Sequence, residues 1–150
     1  MTANLNLKFL NAINVLVSAR VGALQSVHDH FGGDWERAWH SDLRKFAQDE
    51  TGKAKSSADF NHLKKTIDPD NEWKKLNPPT SGEKIGLVTI FDKEYPKLLT
   101  HIFYPPFLLY VKGSVETLKN KCFGVVGTRA LSEYGKRATP HITLDLARAG

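Results

Sequence analysis

The chain has 150 residues, 41% of them hydrophobic, enough for one domain or for one small domain and part of another. No apolar run approaches the roughly 18 residues of a membrane-spanning helix, and the longest, Phe107 to Val111, is strand-sized. Cys122 is the one cysteine, which excludes an internal disulfide and a cysteine-built zinc cluster, while a net charge of +5 and a pI of 9.3 permit a polyanionic partner without demanding one.

The first half reads as helical. Leu5, Leu7, Phe9, Leu10, Ile13, Leu16 and Val17 form a broad apolar face at near-helical spacing, and the pattern breaks at residues 18–20. Val21, Leu24, Val27, His28 and Phe31 form a second stripe, which Gly32-Gly33 terminates. Asp34 is an N-cap for a short helix carrying Trp35, Ala38 and Trp39, and Ser41 caps the next, through Leu43, Phe46 and Ala47. Trp35 and Trp39 are four apart and share a helix face, so they read as packing residues rather than base-stacking ones. Residues 51–57 are small and polar, a loop. A further helix starts at Ser57 to Asp59, carries Phe60, Leu63 and Ile67, and closes at Asp68-Pro69, after which Trp73 and Leu76 belong to one more helical turn.

The segment Asn77-Pro78-Pro79-Thr80-Ser81-Gly82-Glu83 punctuates the chain and divides a helical unit, 1–77, from an α/β unit, 84–150. Strands are expected over Ile85 to Ile90, Phe107 to Val111 and Phe123 to Val126, with helical turns from Pro96 to His101 and from Ser114 to Lys119. The pair Asp92 and Glu94 reads as capping for the Pro96 turn. Tyr95, Tyr104 and Tyr110 read as cement between the two units. Cys122 reads as a buried structural thiol. The last helix runs from Ser132 to Ala149, and Pro140 inside it calls for a kink near Lys136 to Pro140 or a later start.

Between the third strand and the last helix lies Gly127-Thr128-Arg129-Ala130-Leu131-Ser132. A glycine turn running into a capped helix N-terminus offers free backbone N–H groups and the positive end of the helix dipole to an anion. Arg129 adds a planar, permanently charged fork suited to phosphate oxygens. A dinucleotide is disfavoured, because G-x-G-x-x-G is absent, and no cofactor is implied. His28-Asp29-His30 looks like a metal cluster only on paper, since residues two apart do not share a helical face.

The second half resembles the DNA-processing protein A family, also called Smf or DprA. The likeness rests on Tyr95-Pro96-Lys97-Leu98-Leu99, then Tyr104-Pro105-Pro106-Phe107-Leu108-Leu109-Tyr110-Val111-Lys112-Gly113, then Val125-Val126-Gly127-Thr128-Arg129, followed by Ser132, Tyr134 and Gly135. The resemblance implies an α/β protein: a SAM-like or helix-hairpin-helix-like module followed by the beginning of a Rossmann-like domain. It implies single-stranded DNA binding in natural transformation, protection of that DNA, and its transfer to the RecA recombinase by a homodimeric cytoplasmic protein that performs no catalysis. Gly127, Thr128 and Arg129 inherit the DNA-lining role, with Ser132 beside them. Against the family pattern the chain reads as an N-terminal part, with most RecA-contacting and dimer-forming surfaces lying beyond it. That reading anticipates partial disorder after Gly113 when the chain is isolated. Two rival readings remain open from the residues alone: a nucleotide-phosphate hydrolase on a related lysine-decarboxylase-like fold, and a helical protein-interaction module.

Overall fold

A computed structural model of the chain describes residues 2–17, 21–47, 56–78, 84–120 and 122–149. The readings placed on residues 18–20, 51–55 and 79–83 lie outside these. Two compact units are present, Met1–Val115 and Glu116–Gly150.

The first unit is built on α1 (Thr2–Leu16), whose Leu10, Ile13, Leu16 and the following Val17 are fully buried. Around it pack α2 (Ala23–Phe31), α3 (Trp35–His40), α4 (Ser57–Thr66) and α5 (Pro69–Leu76). The apolar stripes read from the sequence are the faces that meet: Leu24, Val27, Trp35, Ala38, Trp39, Phe60 and Ile67 join α1 in one core. Val21 is the exception, lying outside α2 and exposed.

Local chemistry sets the helix ends. Gly32 adopts φ 64° and Gly33 φ 79°, left-handed values that disfavour side chains, and both their N–H groups reach the His28 carbonyl. The Asp34 carboxylate accepts from Arg37 N–H, Ser56 Oγ from Asp59 N–H, and the Asp68 carboxylate from Asp70 N–H. Pro69 sits at the first position of α5, where no backbone donor is missed. Ser41 does not cap the following segment. It ends α3, donating through Oγ to Arg37 C=O, while Asp42 accepts from Arg44 N–H and opens a three-residue 3₁₀ turn, Arg44–Phe46. Asp42 wins because its carboxylate also grips the Arg44 guanidinium, a charge-assisted pair that holds the Asp42 carboxyl down at about 2. Lys64 crosses to the end of α3, donating to the Trp39 and Ser41 carbonyls with its ammonium over the Trp39 ring. Burial pushes its pKa down, and Asp42 partly restores it.

Strands β1 (Ile85–Thr89) and β2 (Leu108–Lys112) complete this unit as an antiparallel pair, with Leu87 opposite Tyr110 and Thr89 opposite Leu108. Leu87, Leu108 and Tyr110 therefore share one face. Leu108 lies in the helical core and Leu87 packs against it. The Tyr110 hydroxyl donates to Asn11 Oδ1 (2.7 Å) and accepts from Asn14 Nδ2 (2.8 Å), which satisfies two buried polar side chains of α1. Gly113 (φ 96°) ends β2. Tyr110 thus ties the hairpin to the helices. Tyr95 is buried too, and burial raises its pKa, but Tyr104 is exposed and cements nothing within this unit. Asp92 does not cap the Pro96 turn: its carboxylate accepts from Thr89 N–H and Oγ, closing the turn after β1. The 3₁₀ turn Lys97–His101 forms as expected after Pro96.

The second unit holds a 3₁₀ turn, a segment at 122–128 without regular secondary structure, and α6 (Glu133–Ala149). The strand expected over Phe123 to Val126 does not form: among the described residues no ladder includes that stretch. Strand identity needs a paired neighbour, and β-branched sequence alone supplies only the backbone shape. The sheet of the described residues is antiparallel and two-stranded, whereas a Rossmann-like reading calls for a parallel one. Cys122 is exposed rather than buried, since the segment it opens is uncovered. Helix α6 starts where Ser132 places it and continues through Pro140, so the later start does not occur. Thr143 Oγ donates back to the Thr139 and Pro140 carbonyls just past the proline. No helix of the described residues is long and apolar enough to cross a membrane.

Candidate nucleic-acid interface

The segment Gly127 to Ser132 leads from that irregular stretch into α6, and every one of its side chains is exposed. Ser132 is the N-cap: its Oγ accepts from Gly135 N–H (3.1 Å) and its carbonyl from Lys136 N–H (3.0 Å), the first bond of the helix. One acceptor site of Ser132 is therefore committed to the fold, and its hydroxyl proton stays available to a ligand oxygen. Thr128 is more fully committed. Its hydroxyl donates to the Ala130 carbonyl (2.6 Å), which locks the turn on which Arg129 stands.

The electrostatics favour an anion on one side. Glu133 in the first turn suits the helix dipole and opposes an incoming phosphate, but Lys136 Nζ, 2.7 Å from its carboxylate, offsets that charge. Arg148 lies 4.0 Å from Asp145 at the far end of α6. Among the described residues, Arg129 and Arg137 have no carboxylate partner, and both are exposed. A guanidinium in that state can give its full fork to a phosphate without first breaking an ion pair.

Gly127 is not required by the backbone of the turn. Its φ is not in the left-handed region, and a Cβ built there would meet only Leu131 Cδ2 at 3.9 Å, an ordinary contact. The turn does not need glycine to fold. What the missing side chain provides is an open path to the backbone.

Behind the turn, Thr139, Ile142, Thr143 and Leu146 form one stripe of α6 facing Phe123 to Val126 across a shallow groove of about 280 Å³. It is lined mainly by apolar atoms and lacks the convergent polar groups of a small-molecule site.

Elsewhere, the residues weighed in the sequence have other occupations. His28 packs among Trp35, Phe91 and Phe107. Trp35 and Trp39 are buried. Among the described residues no group of three or more His, Cys, Asp or Glu side chains could hold a metal.

The family model described as DNA recombination-mediator protein A matches residues 86–150. The match begins inside β1, takes in Tyr95-Pro96, Tyr104-Pro105-Pro106 and the Gly127 to Ser132 turn, and leaves α1 to α5 outside it. The chain is 39% identical over 67 residues to the DNA processing protein DprA of Bacillus subtilis (strain 168), covering 44% of this chain and 23% of that protein. It thus spans about a quarter of that relative's length. No solved structure matches. Over residues 86–150, then, the chain is similar to the DNA recombination-mediator protein A family.

Proposed function

We propose that the chain binds single-stranded DNA through the Gly127 to Ser132 turn and serves DNA processing in natural transformation. The observation that carries this reading is the exposed, carboxylate-free Arg129, mounted on a turn locked by Thr128 and set beside the Ser132-capped start of α6, within the segment shared with the family. Single-strand binders need positive charge that follows the backbone and little sequence readout, and this arrangement supplies charge without a base-reading pocket. The work is binding rather than a chemical step: Arg129 takes phosphate charge, the Gly127 backbone and the free end of α6 donate N–H groups, and the Ser132 hydroxyl adds a donor. In the whole protein, the Rossmann-like domain that begins here would complete the site, the helical residues 1–77 would form the SAM-like module, and a homodimer in the cytoplasm would pass protected DNA to RecA.

The test is fluorescence anisotropy with labelled oligo-dT. Arg129→Ala weakens binding, and the parent affinity falls steeply with salt. An Arg129→Ala protein that binds as well as the parent removes the role given to this residue.

A further inference from the structure

The connection from β1 to β2 is long, yet its ends are tied. Ile90 N–H donates to Phe107 C=O (3.0 Å), and the buried Tyr95 hydroxyl donates to Pro106 C=O (2.7 Å). The Phe91 ring packs 4.5 Å from His28, between centroids. A loop closed in this way is an ordered surface element, and such elements frequently carry function.

Its outward side is apolar and aromatic. Leu98 is 82% exposed, Phe103 87% and Tyr104 63%, with Ile102 between them also exposed. Large apolar side chains gathered on a tied loop mark an interaction surface. The lysines indicate which partner. Lys93 and Lys97 are exposed on the same loop and form no ion pair among the described residues, although the carboxylates of Asp92, which accepts from Thr89, and Glu94 are exposed there too. The Phe103 and Tyr104 rings stand nearly perpendicular, at 80° with centroids 4.5 Å apart, so each keeps a ring face that the other does not cover. Flat faces beside lysines suit a ligand made of flat bases on an anionic backbone.

We infer that this loop is a second single-strand contact, in which Phe103 and Tyr104 stack bases and Lys93 and Lys97 take phosphate charge. The inference rests on the reading of the chain as a single-strand binder and extends it to a surface outside the Arg129 turn.

Two ligands separate the two surfaces: oligo-dT, and an abasic strand of equal length, which keeps the phosphates and lacks the bases. Each is titrated by anisotropy into the parent chain and into Phe103→Ala, Tyr104→Ala and Arg129→Ala. Phe103→Ala weakens oligo-dT binding about tenfold and leaves abasic binding unchanged, because only stacking is lost. Arg129→Ala weakens both. Thermal unfolding of Phe103→Ala matches the parent, since the side chain is exposed. Unchanged oligo-dT affinity in Phe103→Ala overturns the inference, as does an equal loss on both strands. A shift in oligomeric state with DNA affinity intact assigns the loop to a second copy of the chain and overturns it too. If Phe103→Ala acts as expected and Arg129→Ala does nothing, the loop stands and the turn falls. A parent chain that ignores oligo-dT removes both.

Discussion

Replacing Tyr110 by Phe tests how the hairpin is held to the helices. The change keeps the ring in β2 and deletes one oxygen. That oxygen donates to Asn11 Oδ1 at 2.7 Å and accepts from Asn14 Nδ2 at 2.8 Å. Asn11 is 2% exposed and Asn14 8%, so two buried polar atoms lose a partner together. A buried group stripped of its partner costs about 1–3 kcal/mol. The Tyr110 ring is partly open to solvent, so water can reach the vacated position, which favours the low end of that range. The expected loss is about 2 kcal/mol in all, or roughly 8 °C at some 4 °C per kcal/mol. Urea and thermal unfolding followed by circular dichroism measure it. Adding Asn11→Leu and Asn14→Leu to Tyr110→Phe recovers part of the loss, because removing all the partners leaves nothing unsatisfied. A Tyr110→Phe change within about 0.5 kcal/mol of the parent, the scatter of ordinary surface substitutions, refutes the idea that these bonds fasten the hairpin.

Three further outcomes follow. Gly127→Ala leaves the unfolding midpoint unchanged, because the new methyl meets only Leu131 at 3.9 Å, and weakens oligo-dT binding; unchanged affinity would show that phosphate does not approach this stretch of backbone. Asp42 titrates at about 2 in the folded chain against 3.8 ordinarily, so the stability it contributes is present above pH 3.8 and is lost as pH falls toward 2. Asp42→Asn therefore flattens the acid side of the stability profile in that window, and a profile of unchanged slope counts against the Arg44 pairing. Lys64→Met keeps the stem over Trp39 but leaves the Trp39 and Ser41 carbonyls without their ammonium donor, and it lowers stability by about 1 kcal/mol in urea unfolding, whereas a gain would mean that desolvating the charge outweighs its hydrogen bonds.

Much of this was legible residue by residue. Stripes at helical spacing located α1 to α5 because each buries one face against the others, and Gly32, Asp34 and Ser132 announced their ends through local chemistry that needs no tertiary partner. Ser41 misled because two good caps lie side by side, and the arginine that decides between them acts through a side chain, not through spacing. Asp92 misled for a similar reason: its turn bond to Thr89 reaches backward, away from the Pro96 turn. Phe123 to Val126 shows the limit most clearly. Its valines favour an extended backbone, but a strand is a relation between two segments, and the sequence of one segment cannot state it. At the candidate interface the Ser132 cap and the charge of Arg129 were readable, whereas the commitment of the Thr128 hydroxyl to Ala130 was not, since hydroxyl targets depend on how the turn closes. The tied loop was missed for its exposure: Tyr104-Pro105-Pro106 served as a family landmark, and nothing in its letters says that Phe103 and Tyr104 face outward.

The bond from Tyr110 to Asn11 and Asn14 has a consequence for inheritance. Resemblance to the family starts at Gly86, yet the hairpin that starts there finishes its hydrogen bonding on α1. The stretch that is recognisably shared and the stretch that folds as one body have different borders. A recombination event, or a designed chimera, that exchanges everything after the double proline would bring a foreign β2 against α1. It would succeed only where positions 11, 14 and 110 arrive as a matched set. Those three positions should therefore change together among proteins that keep both halves, as the teeth of a key change with its lock.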